Sequence, residues 1–181
     1  VYSVPVAGLP GARGDGQPIT TLIELEAGTQ PLHYFAGPEQ ASLLSSGSGG
    51  YGFLARVEHM LSRQRGGKAF ISVGKGEQVC RPSLVALAQE SKPAVAAASD
   101  ATPIVPATHV ACASTGGRIL TFEIGELKLM EKGGRGLTLI DLDAKDTLAG
   151  AAAYTRSVRI LGVGRGGKAR EEQLEIRSLN N

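Results

Sequence analysis

Apolar residues fall on alternate positions in three separate stretches of the chain. In GGYGFLARVEHML (49–61) they are Phe53, Ala55 and Val57; in GGRILTFEIGELKL (116–129) they are Leu120, Phe122 and Ile124. The opening VYSVPVAGLP carries Tyr2, Val4 and Val6 in the same register. A period of two sends successive side chains to opposite faces, so each stretch predicts a strand with one buried face. Each then runs into a Gly-rich turn: GARGDG at 11–16, SRQRGGK at 62–68 and MEKGGRG at 130–136. A second apolar run follows each turn (PITTLIEL, AFISV, LTLIDL), and the apolar pairs Leu43-Leu44 and Val110-Ala111 mark a third strand before the next Gly-Gly. TRSVRILGV at 155–163 reads as a partial further copy, joined by a hairpin turn to QLEIRSL.

Repetition of this kind predicts an all-β array of propeller-like, four-stranded blades. One domain over 1–181 would hold about three full repeats with partial repeats at the ends. The spacing is irregular because ALAQESKPAVAAASDATPIVPAT interrupts it. That Ala/Pro-rich stretch predicts an exposed, flexible insertion over 86–108. Residues 53–64 (FLARVEHMLSRQ) also fit an amphipathic helix, with Leu54, Val57, Met60 and Leu61 on one face. Their match to the other copies favours a strand. Val1 begins inside a strand pattern and Asn181 follows another, so the chain reads as a piece of a longer protein.

Composition narrows the class. A hydrophobic content of 42% supports a packed core and excludes wholesale disorder. Cys80 and Cys112 lie in apolar runs and are expected as buried free thiols. Nothing reads as a secretory signal, and Pro and Asp break the longest apolar stretch, which cannot span a bilayer. The cytoplasm is the expected location.

Several motifs resemble catalytic or nucleotide-binding signatures without the context those need. Gly47–Gly52 spells G-x-G-x-x-G, but no acid follows near the spacing a dinucleotide site requires. Gly162–Ala169 approaches a phosphate-cradling loop, yet Ala169 stands where a Ser or Thr hydroxyl would bind Mg²⁺. Arg13-Gly14-Asp15 spells an adhesion tripeptide and is read as coincidence. His33, His59 and His109 are isolated, with no metal-ligand spacing. Asp141, Asp143 and Asp146 read as solvated turn acids. No catalytic centre or metal site is predicted.

Charge distribution says more than the formal net charge of +2. Arg63, Arg65 and Lys68 share one turn without an acid. Lys128, Lys132 and Arg135 outnumber Glu131 in the next. Arg156, Arg159, Arg165, Lys168 and Arg170 occupy 155–170 with no acid among them. Repeated blades put equivalent turns at equivalent places, so such cations would line one rim and meet phosphates along a duplex. Aromatic residues do not alternate with these cations, so stacking on single-stranded bases is not suggested.

The stretches VYSVPVAGLPGARGDGQPIT, SGGYGFLARVEHMLSRQRGGKAFI and STGGRILTFEIGELKLMEKGGRG, taken in order, resemble the C-terminal domains of topoisomerase IV A subunits, relatives of the gyrase A C-terminal domain. TRSVRILGVGRGGKAREEQLEI is similar to the family's last strand pair. The resemblance implies a β-pinwheel: a disc of blades that binds duplex DNA along a basic outer rim and presents the transported segment. It also implies a parent enzyme of type IIA, which decatenates and relaxes DNA with ATP and Mg²⁺. That enzyme would be a heterotetramer with the topoisomerase IV B subunit, the ATPase, and would associate with the bacterial nucleoid. The DNA-binding residues expected from the basic turns are Arg13, Arg63, Arg65, Lys68, Lys128, Lys132, Arg135, Arg156, Arg165 and Lys168. No cofactor is expected in this stretch of chain. Arg63-Gln64-Arg65-Gly66-Gly67-Lys68-Ala69 is a permuted form of the box that gyrase relatives use for tight wrapping, which argues against strong chiral wrapping. A missing or partial blade at the N-terminal end implies an incomplete disc. Two other functions stay open: a gyrase-type wrapping domain, and a propeller-like protein-interaction module without a DNA role.

Overall fold

The computed structural model describes residues 1–11, 13–87, 106–164 and 166–175. Three antiparallel hairpins form the frame. The first joins β1 (Ser42–Ser46) to β2 (Tyr51–Arg56), the second β4 (His109–Ser114) to β5 (Ile119–Glu123), and the third β8 (Ser157–Val163) to β9 (Ala169–Glu175). β3 (Ser83–Val85) and the two-residue β6 (Leu137–Thr138) flank the first hairpin in the order β3-β1-β2-β6. β7 (Leu148–Tyr154) lies on β4 in a sheet ordered β5-β4-β7, and β8 and β9 form a sheet of two.

The three hairpin turns are the same turn. Gly47 N–H donates to Tyr51 O at 2.9 Å, Ser114 N–H to Arg118 O at 2.8 Å and Gly164 N–H to Lys168 O at 2.8 Å. Inside each, the second residue of a Gly-Gly pair donates back to the first turn residue: Gly50 to Gly47, Gly117 to Ser114 and Gly167 to Gly164. Those glycines have φ of 85°, 87° and 76°, where a side chain is disfavoured, so Gly-Gly marks the hairpin. The hairpin expected between TRSVRILGV and QLEIRSL is present as far as Glu175; the remainder of QLEIRSL lies outside the described residues.

A second shared turn docks against the first. Glu77 N–H donates to Gly74 O at 3.0 Å and Asp146 N–H to Asp143 O at 2.8 Å, so Gly74–Glu77 and Asp143–Asp146 are equivalent. Gln78 and Thr147, next along, exchange hydrogen bonds with Ser48 and Thr115 of the hairpin turns. From there the chain returns as the strand that flanks β1 or β4.

Several predicted strands are not strands. Tyr2–Val6 is irregular and ends in a 3-10 turn at Val6–Gly8; PITTLIEL holds a 3-10 turn at Ile19–Thr21. Pro5 and Pro18 precede these turns, and each lacks the N–H a sheet ladder needs. AFISV contributes only a bridge at Ile71, and LTLIDL only Leu137–Thr138. In 53–64 the strand ends at Arg56 and one helical turn, α1 (Val57–Met60), follows. β5 likewise gives way to a 3-10 turn at Ile124–Glu126.

After each of those turns the chain becomes an arm that leaves its own hairpin. Residues 127–140 run along the outer edge of β2. Leu54 N–H donates to Lys128 O at 3.1 Å, Met130 N–H to Leu54 O at 2.8 Å, and Leu137 and Thr138 pair with Gly52 and Tyr51. The preceding arm, 61–72, does the same for the start of the chain: Lys68 N–H donates to Val1 O at 2.8 Å and Ser62 N–H to Ser3 Oγ at 3.0 Å.

The main core joins the two larger sheets through Leu44, Leu54, Val85, Val110, Cys112, Leu139, Ile140, Leu148 and Ala151. A second cluster lies under the arms: Leu43, Phe53, Ala55, Met60 and Phe70. Most of the insertion expected at 86–108 lies outside the described residues, but its stem is pinned by Ala107 N–H donating to Ala86 O at 2.8 Å. Among the described residues no helix is long and apolar enough to cross a membrane.

Candidate nucleic-acid interface

The arms carry two of the basic turns, and the turn of the later arm lies against the earlier arm. Ile71 and Gly134 form a parallel bridge. Gly134 N–H donates to Phe70 O at 2.8 Å and Ser72 N–H to Gly134 O at 2.9 Å. Gly133 has φ 70°, and a Cβ there would collide with the Phe70 carbonyl. This close approach seats the third basic turn on the second arm.

The cations on these arms divide by what they touch. Arg63, Lys128 and Lys132 are exposed, and their side chains meet no acid or carbonyl among the described residues. Arg65 donates to Thr21 O at 2.8 Å, and Lys68 donates to His59 O at 2.8 Å while lying 5.4 Å from the Phe70 ring centroid. Arg63 and Lys68 help line an open hollow with Leu61, Ser62 and Ala69, and Arg65 belongs to the same turn. Arg135 is held by the Glu77 carboxylate at 2.8 Å and lies 4.1 Å over the Tyr51 ring.

The other expected residues are elsewhere. Lys168 sits on the third hairpin turn, equivalent to Tyr51 and Arg118. The basic run 155–170 is therefore a hairpin and its turn, not a third arm turn. Arg13 lies in the first Gly-rich turn and Arg156 in the link from β7 to β8, both exposed. Arg165 lies outside the described residues.

Acids beneath the hairpin turns do not stand out by residue type. Asp146 is not a solvated turn acid. Gly116 N–H donates to its Oδ1 at 2.7 Å, Thr115 Oγ1 at 2.9 Å and Thr147 N–H at 2.9 Å. Hydrogen bonding from Ser114, then from Gly116, Thr115 and Thr147, holds its carboxyl down at about 2. Arg118 adds contacts to Asp146 at 3.8 Å and to Asp143 at 3.5 Å. Glu77 fills the same place in the first repeat, accepting from Gly74 N–H at 2.6 Å. An acid at a similar distance after Gly49-Gly50 and after Gly116-Gly117 is the signal in the sequence, hidden because GKGE and DAKD share few letters.

Cys112 is fully buried, and burial pushes its thiol up to about 12. Burial also raises Cys80, whose Sγ faces Leu148 O at 3.5 Å. Among the described residues no three His, Cys, Asp or Glu side chains gather to hold a metal ion.

No family model matches the chain. The DNA topoisomerase 4 A subunit of Neisseria gonorrhoeae is 39% identical to it over 177 residues, which cover 97% of this chain and 21% of that protein. The chain belongs to the topoisomerase IV A-subunit family. It is 27% identical over 149 residues to the Escherichia coli topoisomerase 4 A subunit, covering 82% of this chain and 17% of that protein. It thus spans about a fifth of the length of the family members it matches. The solved C-terminal domain of E. coli ParC superimposes with a TM-score of 0.77 at 25% identity, covering 99% of this chain and 66% of that one. A gyrase A C-terminal domain shares the fold, with a TM-score of 0.63 at 15% identity over 89% of this chain and 47% of that one. The fold is the β-pinwheel of these domains, and the chain corresponds to the C-terminal domain of the topoisomerase IV A subunit.

Proposed function

We propose that the chain is a duplex-DNA-binding accessory domain, and that the arm turns are its contact surface. The observation that carries this reading is the pair of adjacent arms, whose turns leave Arg63 and Lys132 exposed and without an internal partner among the described residues. Cations held out on a rigid edge can exchange condensed counterions for backbone phosphates, whatever the base sequence. Lys128, Arg65 and Lys68 belong to the same two arms, and Arg13, Arg156 and Lys168 add positive charge elsewhere on the domain. In the parent enzyme the domain presents the transported segment for decatenation and relaxation, in a cytoplasmic heterotetramer with the B subunit. ATP and Mg²⁺ serve that parent enzyme. This chain's GRGGK segment is a hairpin turn between strands, which does not fit a nucleotide loop opening a helix.

Duplex binding by the chain across a salt series tests the reading. Affinity should fall steeply with salt. Reversing Arg63 and Lys132 to Glu should weaken it at least tenfold, with the salt slope reduced by about one unit per contact removed. Their exposure means little change in thermal midpoint. Unchanged affinity in that variant would remove the arm turns from the interface.

A further inference from the structure

We propose that Glu77, an acid, is a positioning residue for DNA binding, because it holds Arg135 and through it the third basic turn. The inference rests on the DNA-binding reading above. Glu77 is fixed on its own repeat: it accepts from Gly74 N–H at 2.6 Å and lies so close to Gly49 that a Cβ there would strike the carboxylate. Arg135 comes from the following repeat, on the arm that covers β2. Its guanidinium is engaged twice, by Glu77 at 2.8 Å on one edge and by the Tyr51 ring at 4.1 Å on one face. Together with the Gly134 bonds to Phe70 and Ser72, this closes the turn at two places and leaves Lys132, in the same turn, meeting no internal acid among the described residues. Among the described residues no such link joins the second repeat to the next. There the equivalent acid, Asp146, is met by Arg118 of its own hairpin, so the contact fixes nothing across repeats.

The two roles open to Arg135 give opposite expectations for Glu77. If Arg135 is a phosphate ligand that Glu77 competes for, neutralising Glu77 frees a cation, removes a repelling charge and strengthens DNA binding. If the pair is a clamp, neutralising Glu77 loosens the turn and weakens binding. Glu77→Gln is a suitable probe, since an amide oxygen still accepts from Gly74 N–H. Arg135→Lys keeps the charge but loses the planar fork and the stacking.

Duplex affinity would be measured at one salt concentration for the wild-type chain, E77Q, R135Q, R135K and E77Q/R135Q, each checked to be folded. The clamp predicts a loss of about three- to tenfold for every single variant, from a partly exposed ion pair plus a cation–π contact. It also predicts that the double variant is no weaker than the singles, because both remove one interaction. Unchanged or tighter binding by E77Q would overturn the proposal, as would wild-type affinity in R135K beside a loss in R135Q. Failure of the wild-type chain to bind duplex at all would instead defeat the DNA-binding reading, and this inference with it.

Discussion

β2 and β5 occupy the same place in consecutive repeats, yet their surroundings differ. Equivalent hairpin bonds align Phe53 with Leu120. Phe53 is 0% exposed and Leu120 44%. β2 has its outer edge covered by the arm 127–140, whereas among the described residues β5 has no strand on that edge. The composition of the two strands does not account for this, since both alternate apolar residues. Along β2 the following repeat lends its arm and the strand is buried. Each repeat's core is therefore completed by its neighbour, as expected of an array stabilised by nearest-neighbour interfaces.

Core truncation should test that comparison most strongly. Phe53→Ala removes a ring packed 5.9 Å from Phe70 beneath the arms and should cost about 3–5 kcal/mol by denaturant unfolding. Leu120→Ala, at the equivalent place, should cost about 0.5 kcal/mol. Similar losses at both positions would show that β5 is also covered in solution.

Backbone contact between arms gives a smaller effect. Gly133→Ala combines a left-handed φ with a collision against the Phe70 carbonyl and should destabilise by about 2 kcal/mol or more. Gly117→Ala has a similar φ of 87° but open space around the added methyl, so about 1 kcal/mol is expected. Equal effects would mean that arm seating contributes nothing beyond backbone conformation.

Asp146, beneath the second hairpin turn, offers a pH-dependent test. Its folded carboxyl titrates near 2, below the unfolded value of about 3.9, so the anion's contribution is complete above pH ~4 and fades as the pH falls through 2. The thermal midpoint of the wild-type chain should exceed that of Asp146→Asn at neutral pH, and the gap should close between about pH 4 and 2. A gap that persists at pH 2 would assign the effect to shape instead of charge. The least perturbing probe is thiol alkylation at neutral pH. Cys112, buried and held near 12, should stay unmodified in the folded chain and react fully after unfolding.

Much of the fold was legible along the chain because its signals are local. Alternation found β2 and β5, and the apolar pairs found β1 and β4. Gly-Gly marked hairpins because only glycine adopts that φ at little cost. Phase was harder to read. GRGGK at 164–168 shares its letters with RQRGGK of the arm, but its bonds are those of the hairpins at 47–51 and 114–118. Letters report composition, whereas the turn type depends on which carbonyl accepts which N–H. The arms themselves read as strands because AFISV and LTLIDL are apolar. They instead lie across a neighbouring repeat, with only the two-residue β6 and single bridges at Ile71 and Leu129.

The same division holds for the candidate site. The basic residues and their grouping into turns were visible by residue type. Whether a given cation is available was not. Arg63 and Arg135 look alike in sequence, but Glu77 and Tyr51, far from Arg135 along the chain, engage only the latter. By itself the sequence determined the repeat, the hairpin turns and the cations' positions along the chain, since period-two burial and glycine backbone freedom act over a few residues. Only the tertiary structure decided which strand each arm covers, which acids lock the turns and which cations face solvent, because those contacts join residues of different repeats.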